Sequence, residues 1–151
     1  MIRLAISKGR ILQEGLKILK KVGIVCSHDP LNSRKLIIPT NDKNIEIVII
    51  KATDVPLYID SGKVDIGIVG IDTLLEEDTD NHYRIKDLGI SLCKLVVAGK
   101  PGKKYFNNMK IATKYPNATK KYFEKIGLQC SILKLYGSIE LAPVLNLSDF
   151  I

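Results

Sequence analysis

The stretch IRLAISKGRILQEGLKILKKVG, residues 2–23, is the most informative part of this sequence for the fold. Residues 2–6 form a short apolar run, and the polar turn Ser7-Lys8-Gly9-Arg10 closes it. Apolar residues then recur at the helical period through positions 12, 16 and 19, and Gly23 marks the end of this pattern. The stretch therefore predicts a strand, a tight turn and a helix.

The same alternation continues to the end of the chain. Further strands are predicted at 36–38, 45–50, 64–70, 92–98, 110–113 and 131–135, of which the first two could form a hairpin. Further helices are predicted at 54–61, 72–75 and 116–126, and from 139 onward, with a solvated acidic loop at 76–81. Asp72 and Ser138 are predicted to cap the helices that they precede. Strands that alternate with helices favour an α/β sheet over a sandwich or a bundle.

Composition places the chain among ordinary globular proteins. It has 151 residues, of which 46% are hydrophobic and 26% charged, which argues against disorder. Its three cysteines are far apart and fit reduced thiols, packed as small buried side chains in a cytosolic protein. No apolar run reaches the ~7–15 residues of a signal-peptide core or the ~18 of a membrane span. We therefore expect a cytoplasmic protein that does not bind membranes.

The net charge of +7 is concentrated in one segment. Residues 100–125 hold eight lysines and the single acid Glu124, whereas the rest of the chain is neutral. Such a segment attracts nucleic acids, nucleotides or sugar phosphates, although a solvated lysine-rich face has the same composition. The rings of Tyr122 and Phe123 fall on the apolar face of the predicted helix, so we expect them in the core and not as a base-stacking platform.

Lys8-Gly9-Arg10 is the first candidate site. It lies where a strand leads into a helix, so free backbone N–H groups, the positive end of the helix and two cationic side chains come together. This arrangement predicts an anion site. A solvated basic turn has the same residues, and the pattern matches neither G-x-G-x-x-G nor the phosphate loop G-x-x-x-x-G-K-[ST].

Gly67, Gly70 and Asp72 form a second candidate. Glycine at the carboxyl end of a strand allows a ligand to approach the backbone, and Asp72 could accept hydrogen bonds from sugar hydroxyls. Helix capping explains Asp72 equally well.

The second half of the chain has two further strand-to-helix junctions. Residues 113–117, Thr-Lys-Tyr-Pro-Asn, combine a helix start with a lysine and a ring that could lie against a base, but a core tyrosine fits as well. Glu140 follows a similar junction and could interact either with the helix end or with a substrate. His28 and His82 have no partner at ligand spacing, so neither a zinc site nor a histidine-based triad is predicted.

Seven of these stretches, taken in order, resemble the catalytic chain of ATP phosphoribosyltransferase, the enzyme that opens histidine biosynthesis. They span nearly the whole sequence, and their joint occurrence carries the resemblance, since each is short. They are ISKGR at 6–10, PTND at 39–42, DVP at 54–56, DIGIVGID at 65–72, LVVAG at 95–99, IATKYPN at 111–117 and GSIELAP at 137–143.

The resemblance implies an α/β fold of the two-lobed periplasmic-binding-protein-like architecture (type II), with the substrates in the cleft between lobes. It implies a first lobe at 1–90 and a second at 91–151. Family members continue beyond the position of Ile151 into a loop that grips phosphoribosyl diphosphate and then complete the first lobe. We therefore expect a truncated sequence that lacks the second crossing and the last part of lobe one, binds nucleotide weakly and turns over slowly.

The resemblance also implies the reaction. N1 of the adenine of ATP attacks C1 of phosphoribosyl diphosphate and expels pyrophosphate, with Mg²⁺ on the diphosphate and no metal ligand assigned on the protein. Lys8, Arg10 and Lys51 are implied as catalytic cations. The implied substrate contacts are Gly9, Gly70, Asp72, Thr113, Tyr115, Pro116 and Glu140.

Implied partners are a second copy of the chain and, if the protein is a short form, a separate regulatory subunit. Two rival hypotheses remain at this point. One is a non-catalytic module of the same fold that binds a small molecule or nucleotide. The other is a basic nucleic-acid binder that uses residues 100–125. We expect neither nucleic acid nor membrane as a partner.

Overall fold

The structure is a computed structural model that describes residues 1–77 and 81–151. The described chain divides into two compact units, residues 1–93 and 94–151, which are treated separately below. Of the predicted acidic loop at 76–81, residues 78–80 lie outside the described part, and Glu76 is buried in a helix instead of solvated.

A four-stranded sheet forms the first unit. Its strands are β1 (Ile2–Ser7), β2 (Ile37–Pro39), β3 (Ile45–Ile50) and β4 (Ile66–Ile68), in the order β2-β3-β1-β4. β1 runs parallel to both β3 and β4, whereas β2 pairs antiparallel with β3. The hairpin is therefore confirmed, and the parallel core of the sheet is formed by the strands that precede helical segments.

In the described part of this unit, three α-helices and one 3₁₀ turn accompany the sheet. They are α1 (Arg10–Lys21), the 3₁₀ turn Ala52–Asp54, α2 (Val55–Asp60) and α3 (Ile71–Glu77). Side chains alternate between the two faces of β1: Leu4 and Ile6 pack in the cluster that contains Leu12 of α1. Ala5 packs in the opposite cluster with Val55 of α2. The alternation in β1 thus supplies both hydrophobic cores of the unit.

A parallel strand pair is the centre of the second unit. β5 (Met109–Thr113) pairs with β6 (Cys130–Lys134), and α4 (Pro116–Lys125) connects them. A short helix, α5 (Leu141–Val144), follows. The core consists of Met109, Ile111, Phe123 and Phe150. Phe150 also bridges Ile111 of β5 in the parallel sense, so the last residues of the chain extend this small sheet.

Several local expectations differ from the structure. Residues 92–98 form no strand, although Ala98 exchanges two backbone hydrogen bonds with Ile151. α3 begins one residue before Asp72, so that residue lies in its first turn and is not its cap. Ser138 has a φ of 50° and does not cap α5 with its side chain. Tyr122 is 46% exposed, whereas Phe123 is buried as predicted.

Within the described ranges, no helix has the length and apolar character that crossing a membrane requires.

Candidate functional site

The carboxyl edge of the first sheet brings three predicted site residues to one level. Ser7, the last residue of β1, pairs with Ile50, the last of β3, so Lys8 and Lys51 follow side by side. Ile6 pairs with Ile68 of β4, which places Gly70 two residues further on, at the level of Lys8. Neighbouring strands lie about 4.8 Å apart. Lys51 and Gly70 are 43 and 62 positions away from Lys8 in the chain, yet they share its edge of the sheet.

Gly9 forms the turn from β1 into α1. Its φ of 97° lies in the region that favours glycine, and a Cβ there would meet nothing within 4 Å. The carbonyl of Gly9 accepts a hydrogen bond of 3.2 Å from the Gln13 amide, but none of the described side chains caps the helix and its first turn holds no acid. The first amides of α1 and its positive end therefore remain available to an anion.

Lys8 and Lys51 supply the positive charge at this edge. Both are exposed, and within the described ranges neither ammonium group forms an ion pair with a carboxylate. Because Lys8 and Lys51 follow adjacent strand ends, both positive side chains can approach one anion at this edge. The edge is thus electrostatically suited to a phosphate or diphosphate group.

Arg10 has a structural partner that the sequence did not predict. Its guanidinium Nη2 donates a hydrogen bond of 3.2 Å to the carbonyl of Ser91. Glu14, one turn along α1, accepts hydrogen bonds from both the amide and the hydroxyl of Ser91, whose φ is 51°. The start of α1 therefore anchors residue 91, and at least one of the donors of Arg10 serves this contact. A separation of 77 residues between Glu14 and Ser91 leaves no signal in the sequence for it.

The two glycines near β4 have different roles. A Cβ on Gly67 would lie 2.6 Å from Cγ1 of Val55 and 2.8 Å from Cδ1 of Ile59, so this glycine allows α2 to pack closely on β4. A Cβ on Gly70 would instead collide with Oδ1 of Asp72, whose carboxylate folds back over the Gly70 backbone. Gly70 and Asp72 thus form one polar corner beside the lysines. Gly67 serves packing.

Ser7 adds a further polar group beneath this edge. It is 2% exposed, and its hydroxyl has no hydrogen-bond partner among the described residues.

In the second unit, Thr113 ends β5 and holds the following turn. Its buried hydroxyl accepts hydrogen bonds of 3.0 Å from the Tyr115 amide and 3.3 Å from the Thr119 hydroxyl. Pro116 begins α4, as predicted from its place after a strand. The Lys114 ammonium lies 5.8 Å from the centre of the Tyr115 ring. The hydroxyl of Thr113 therefore organises the backbone that carries Tyr115.

Glu140 lies after the neighbouring strand. It is exposed and occupies the position before α5, six residues beyond Lys134, which pairs with Thr113. Thr113 thus lies at the carboxyl end of one of the two parallel strands of this unit, and Tyr115, Pro116 and Glu140 follow these ends. Each unit has a polar strand edge of the kind at which α/β proteins bind ligands.

Comparison with known proteins gives a consistent result. Residues 51–151 match the family model HisG, described as ATP phosphoribosyltransferase. The chain is 48% identical to the ATP phosphoribosyltransferase of Ruthia magnifica over 100% of its own length and 74% of the relative's. It is 47% identical to that of Methylococcus capsulatus, over 100% of this chain and 71% of that one.

A solved structure extends the similarity to the fold. The ATP phosphoribosyl transferase (HisG:HisZ) complex from Thermotoga maritima matches with a TM-score of 0.75 and 34% identity, over 100% of this chain and 72% of that one. The protein is accordingly a mixed α/β transferase of the periplasmic-binding-protein-like type II fold, of which this chain covers part. The chain belongs to the ATP phosphoribosyltransferase family, the pentosyltransferases of histidine biosynthesis.

Proposed function

We propose that the sheet edge formed by Lys8, Gly9 and Lys51 binds the diphosphate of phosphoribosyl diphosphate during transfer of the phosphoribosyl group to ATP. In this reaction N1 of the adenine forms a bond to C1 of the ribose. The bond between C1 and the diphosphate oxygen breaks, and its electron pair leaves with pyrophosphate. The observation that supports the proposal is the shared level of Lys8 and Lys51 on parallel strands beside the start of α1.

Charge development explains why these residue types suit the reaction. The leaving pyrophosphate gains negative charge in the transition state, so fixed cations and amide donors stabilise it more than the ground state. The ammonium groups of Lys8 and Lys51 supply the charge, and the glycine at position 9 permits close approach to the backbone. Arg10, held against Ser91 through one nitrogen, retains further donors for a phosphate oxygen. No covalent nucleophile is required.

The polar corner beside the lysines has a complementary role in the proposal. The carboxylate of Asp72 accepts hydrogen bonds from ribose hydroxyls, and Gly70 leaves room at the wall of the site. In the second unit, Tyr115 and Pro116 border the nucleotide, with Thr113 holding their turn and Glu140 offering a polar contact. The hydrogen bonds to the Thr113 hydroxyl support this role, since they fix the backbone from which the ring projects.

Mg²⁺ enters the proposal as an ion carried by the diphosphate. Lys8 and Lys51 flank the anion position, and ammonium groups cannot ligate a metal, so the side chains of this edge fit an ion held by the substrate. When bound, the ion neutralises diphosphate charge and assists its departure.

The assembly in the proposal is a homo-oligomer that acts in the cytoplasm and that, if the protein is a short form, also binds a separate regulatory subunit. The similarity to the HisG:HisZ complex from Thermotoga maritima supports the regulatory subunit in this proposal.

The test measures pyrophosphate release that depends on both ATP and phosphoribosyl diphosphate. The assay uses the protein with and without a HisZ-type subunit. Lys8→Ala and Lys51→Ala each remove a charge-assisted contact worth ~1.5–3 kcal/mol, which lowers kcat/KM roughly 10- to 150-fold. Lys17→Ala is the matched control, because it removes the same charge from an exposed position of α1.

The possible outcomes separate the hypotheses. Loss of activity in both edge variants with a normal Lys17→Ala enzyme supports the proposed site. Unchanged kcat/KM in both edge variants would show that the diphosphate binds elsewhere. Binding of both substrates without any pyrophosphate release would favour a non-catalytic binding module.

A further inference from the structure

A polar cavity lies in the second unit, near the amino-terminal end of β5 and apart from every residue proposed above for phosphoribosyl transfer. Its volume is about 270 Å³. The space that one water needs on this measure is about 10–15 Å³, so the cavity has room for a group of several heavy atoms. Its lining includes Lys100, Lys103, Lys110, Asn146, Ser148 and Asp149.

Three lysines and one carboxylate give this lining an excess of positive charge. The acid is already satisfied, because Oδ1 of Asp149 lies 2.6 Å from the Lys103 ammonium and Oδ2 accepts a 2.7 Å hydrogen bond from the Lys110 amide. Lys103 and Lys110 together hold the pKa of Asp149 below its ordinary value. The ammonium groups of Lys100 and Lys110 form no ion pair within the described ranges, so two positive charges remain for a ligand.

Ser148 provides an independent indication. It is 8% exposed and lines the cavity, yet its hydroxyl is buried and has no hydrogen-bond partner in the described part of the chain. A buried hydroxyl without a partner is unfavourable, and such a group in a native structure calls for an explanation. Rotation between staggered positions of its side chain allows it to donate to a ligand in the cavity. The exposed side-chain amide of Asn146 adds two further N–H donors.

We propose that this cavity binds a phosphate group, either inorganic phosphate or the phosphate of a monoester. A phosphate dianion matches the two remaining lysine charges, and its several oxygens can accept hydrogen bonds from ammonium, hydroxyl and amide donors at once. The site is distinct from the edge that contains Lys8 and Lys51. It therefore gives the chain a second anion site, beyond the proposed function.

The test is a titration of the ¹⁵N-labelled chain with inorganic phosphate at constant ionic strength, in which the amide signals of residues 110, 146 and 148 are followed. Saturable shifts of these signals are expected. They should persist in Lys8→Ala, since phosphate in this cavity does not contact the sheet edge that contains Lys8 and Lys51. Lys110→Gln and Ser148→Ala should each weaken the binding roughly threefold to tenfold, which is the scale of one exposed or partly buried hydrogen bond. Lys120→Gln is the matched control, because it removes one charge from the exposed outer face of α4 in the same unit.

Ser148→Ala separates binding from structure. Because the hydroxyl has no hydrogen-bond partner among the residues that the structure describes, its loss should leave the thermal midpoint of unfolding unchanged or higher while the phosphate affinity falls. Shifts that rise linearly without saturation, or that Lys110→Gln and Lys120→Gln weaken equally, would show general charge screening and overturn the proposal. Unchanged affinity in Ser148→Ala and Lys110→Gln would overturn it as well. A repeat with AMP identifies the source, since tighter binding than inorganic phosphate indicates a monoester and equal or weaker binding indicates free phosphate.

Discussion

Two glycines of the first unit should respond oppositely to the same substitution, alanine. Gly15 lies on the buried side of α1, where a Cβ would be 3.7 Å from Cδ1 of Ile68 and 3.8 Å from Cγ2 of Ile6, which is ordinary contact. Alanine also favours a helix over glycine by about 0.8–1.0 kcal/mol. Gly15→Ala should therefore raise the free energy of unfolding by about 1 kcal/mol.

Gly67→Ala should lower the free energy of unfolding. Favourable contacts between carbon atoms lie at about 3.5–4.0 Å, whereas the new Cβ would lie 2.6 Å from Val55 and 2.8 Å from Ile59. Val55 is fully buried and cannot move away without disturbing its own neighbours. Overpacking of this kind costs about 1–3 kcal/mol, which exceeds the roughly 0.4–1 kcal/mol that glycine replacement gains through the unfolded state.

Thermal unfolding followed by far-UV circular dichroism measures both effects. The two variants should differ by at least about 1 kcal/mol, which corresponds to at least roughly 2 °C in Tm for a chain of this size. Because both glycines lie in the first unit, they report on the same transition. The double variant Gly67→Ala/Val55→Ala should be more stable than the sum of its single changes predicts, since it relieves the overlap. A Gly67→Ala protein as stable as Gly15→Ala would refute the close packing of α2 on β4.

Two further predictions concern titratable groups in both units. The pKa of Asp149 is lowered by its hydrogen bond to Lys103 and by the backbone, so its contribution to stability is present above the ordinary carboxyl pKa and is lost as the pH falls through the lowered value. Between neutral pH and about pH 2, the free energy of unfolding should depend less strongly on pH in Asp149→Asn than in the unchanged protein, as measured by circular dichroism. Equal pH dependence in the two proteins would contradict the assignment. For the cysteines, burial raises the pKa of the Cys26 and Cys130 thiols, whereas Cys93 is exposed. A thiol reagent at mildly alkaline pH should modify Cys93 first, as mass mapping of the labelled peptides would detect, and prior labelling of Cys130 would contradict this order.

The local pattern of the sequence predicts the first unit well where strands and helices are regular. Residues 2–23 predict β1, the turn at Gly9 and α1, because alternation and helical spacing act over neighbouring residues. Short elements were less predictable. Asp72 and Ser138 are suitable capping residues, but the helices begin at Ile71 and Leu141. A suitable residue type does not by itself fix the first residue of a short helix.

In the candidate sites, too, the local sequence predicts some features and leaves others to the fold. Strand ends with glycine and lysine were visible in the sequence, but the common level of Lys8 and Lys51 depends on strand order and register. Glycine at position 67 predicts a point of ligand approach, but its neighbours from α2 show that it serves packing. The contacts of Arg10 and Glu14 with Ser91 join residues that no local pattern connects. The proposed roles of the site residues remain predictions for the assays above.

The alternation of side chains along β1 links the two hydrophobic cores of the first unit to the sheet edge that carries Lys8. Leu4 and Ile6 point into one core and Ala5 into the other, while the same strand ends at Ser7 and delivers Lys8. Deleting any single residue of this strand would exchange its large and small side chains between the cores and also move the lysine off the level of its neighbour. Evolution can therefore alter this strand by substitution far more easily than by a change in length.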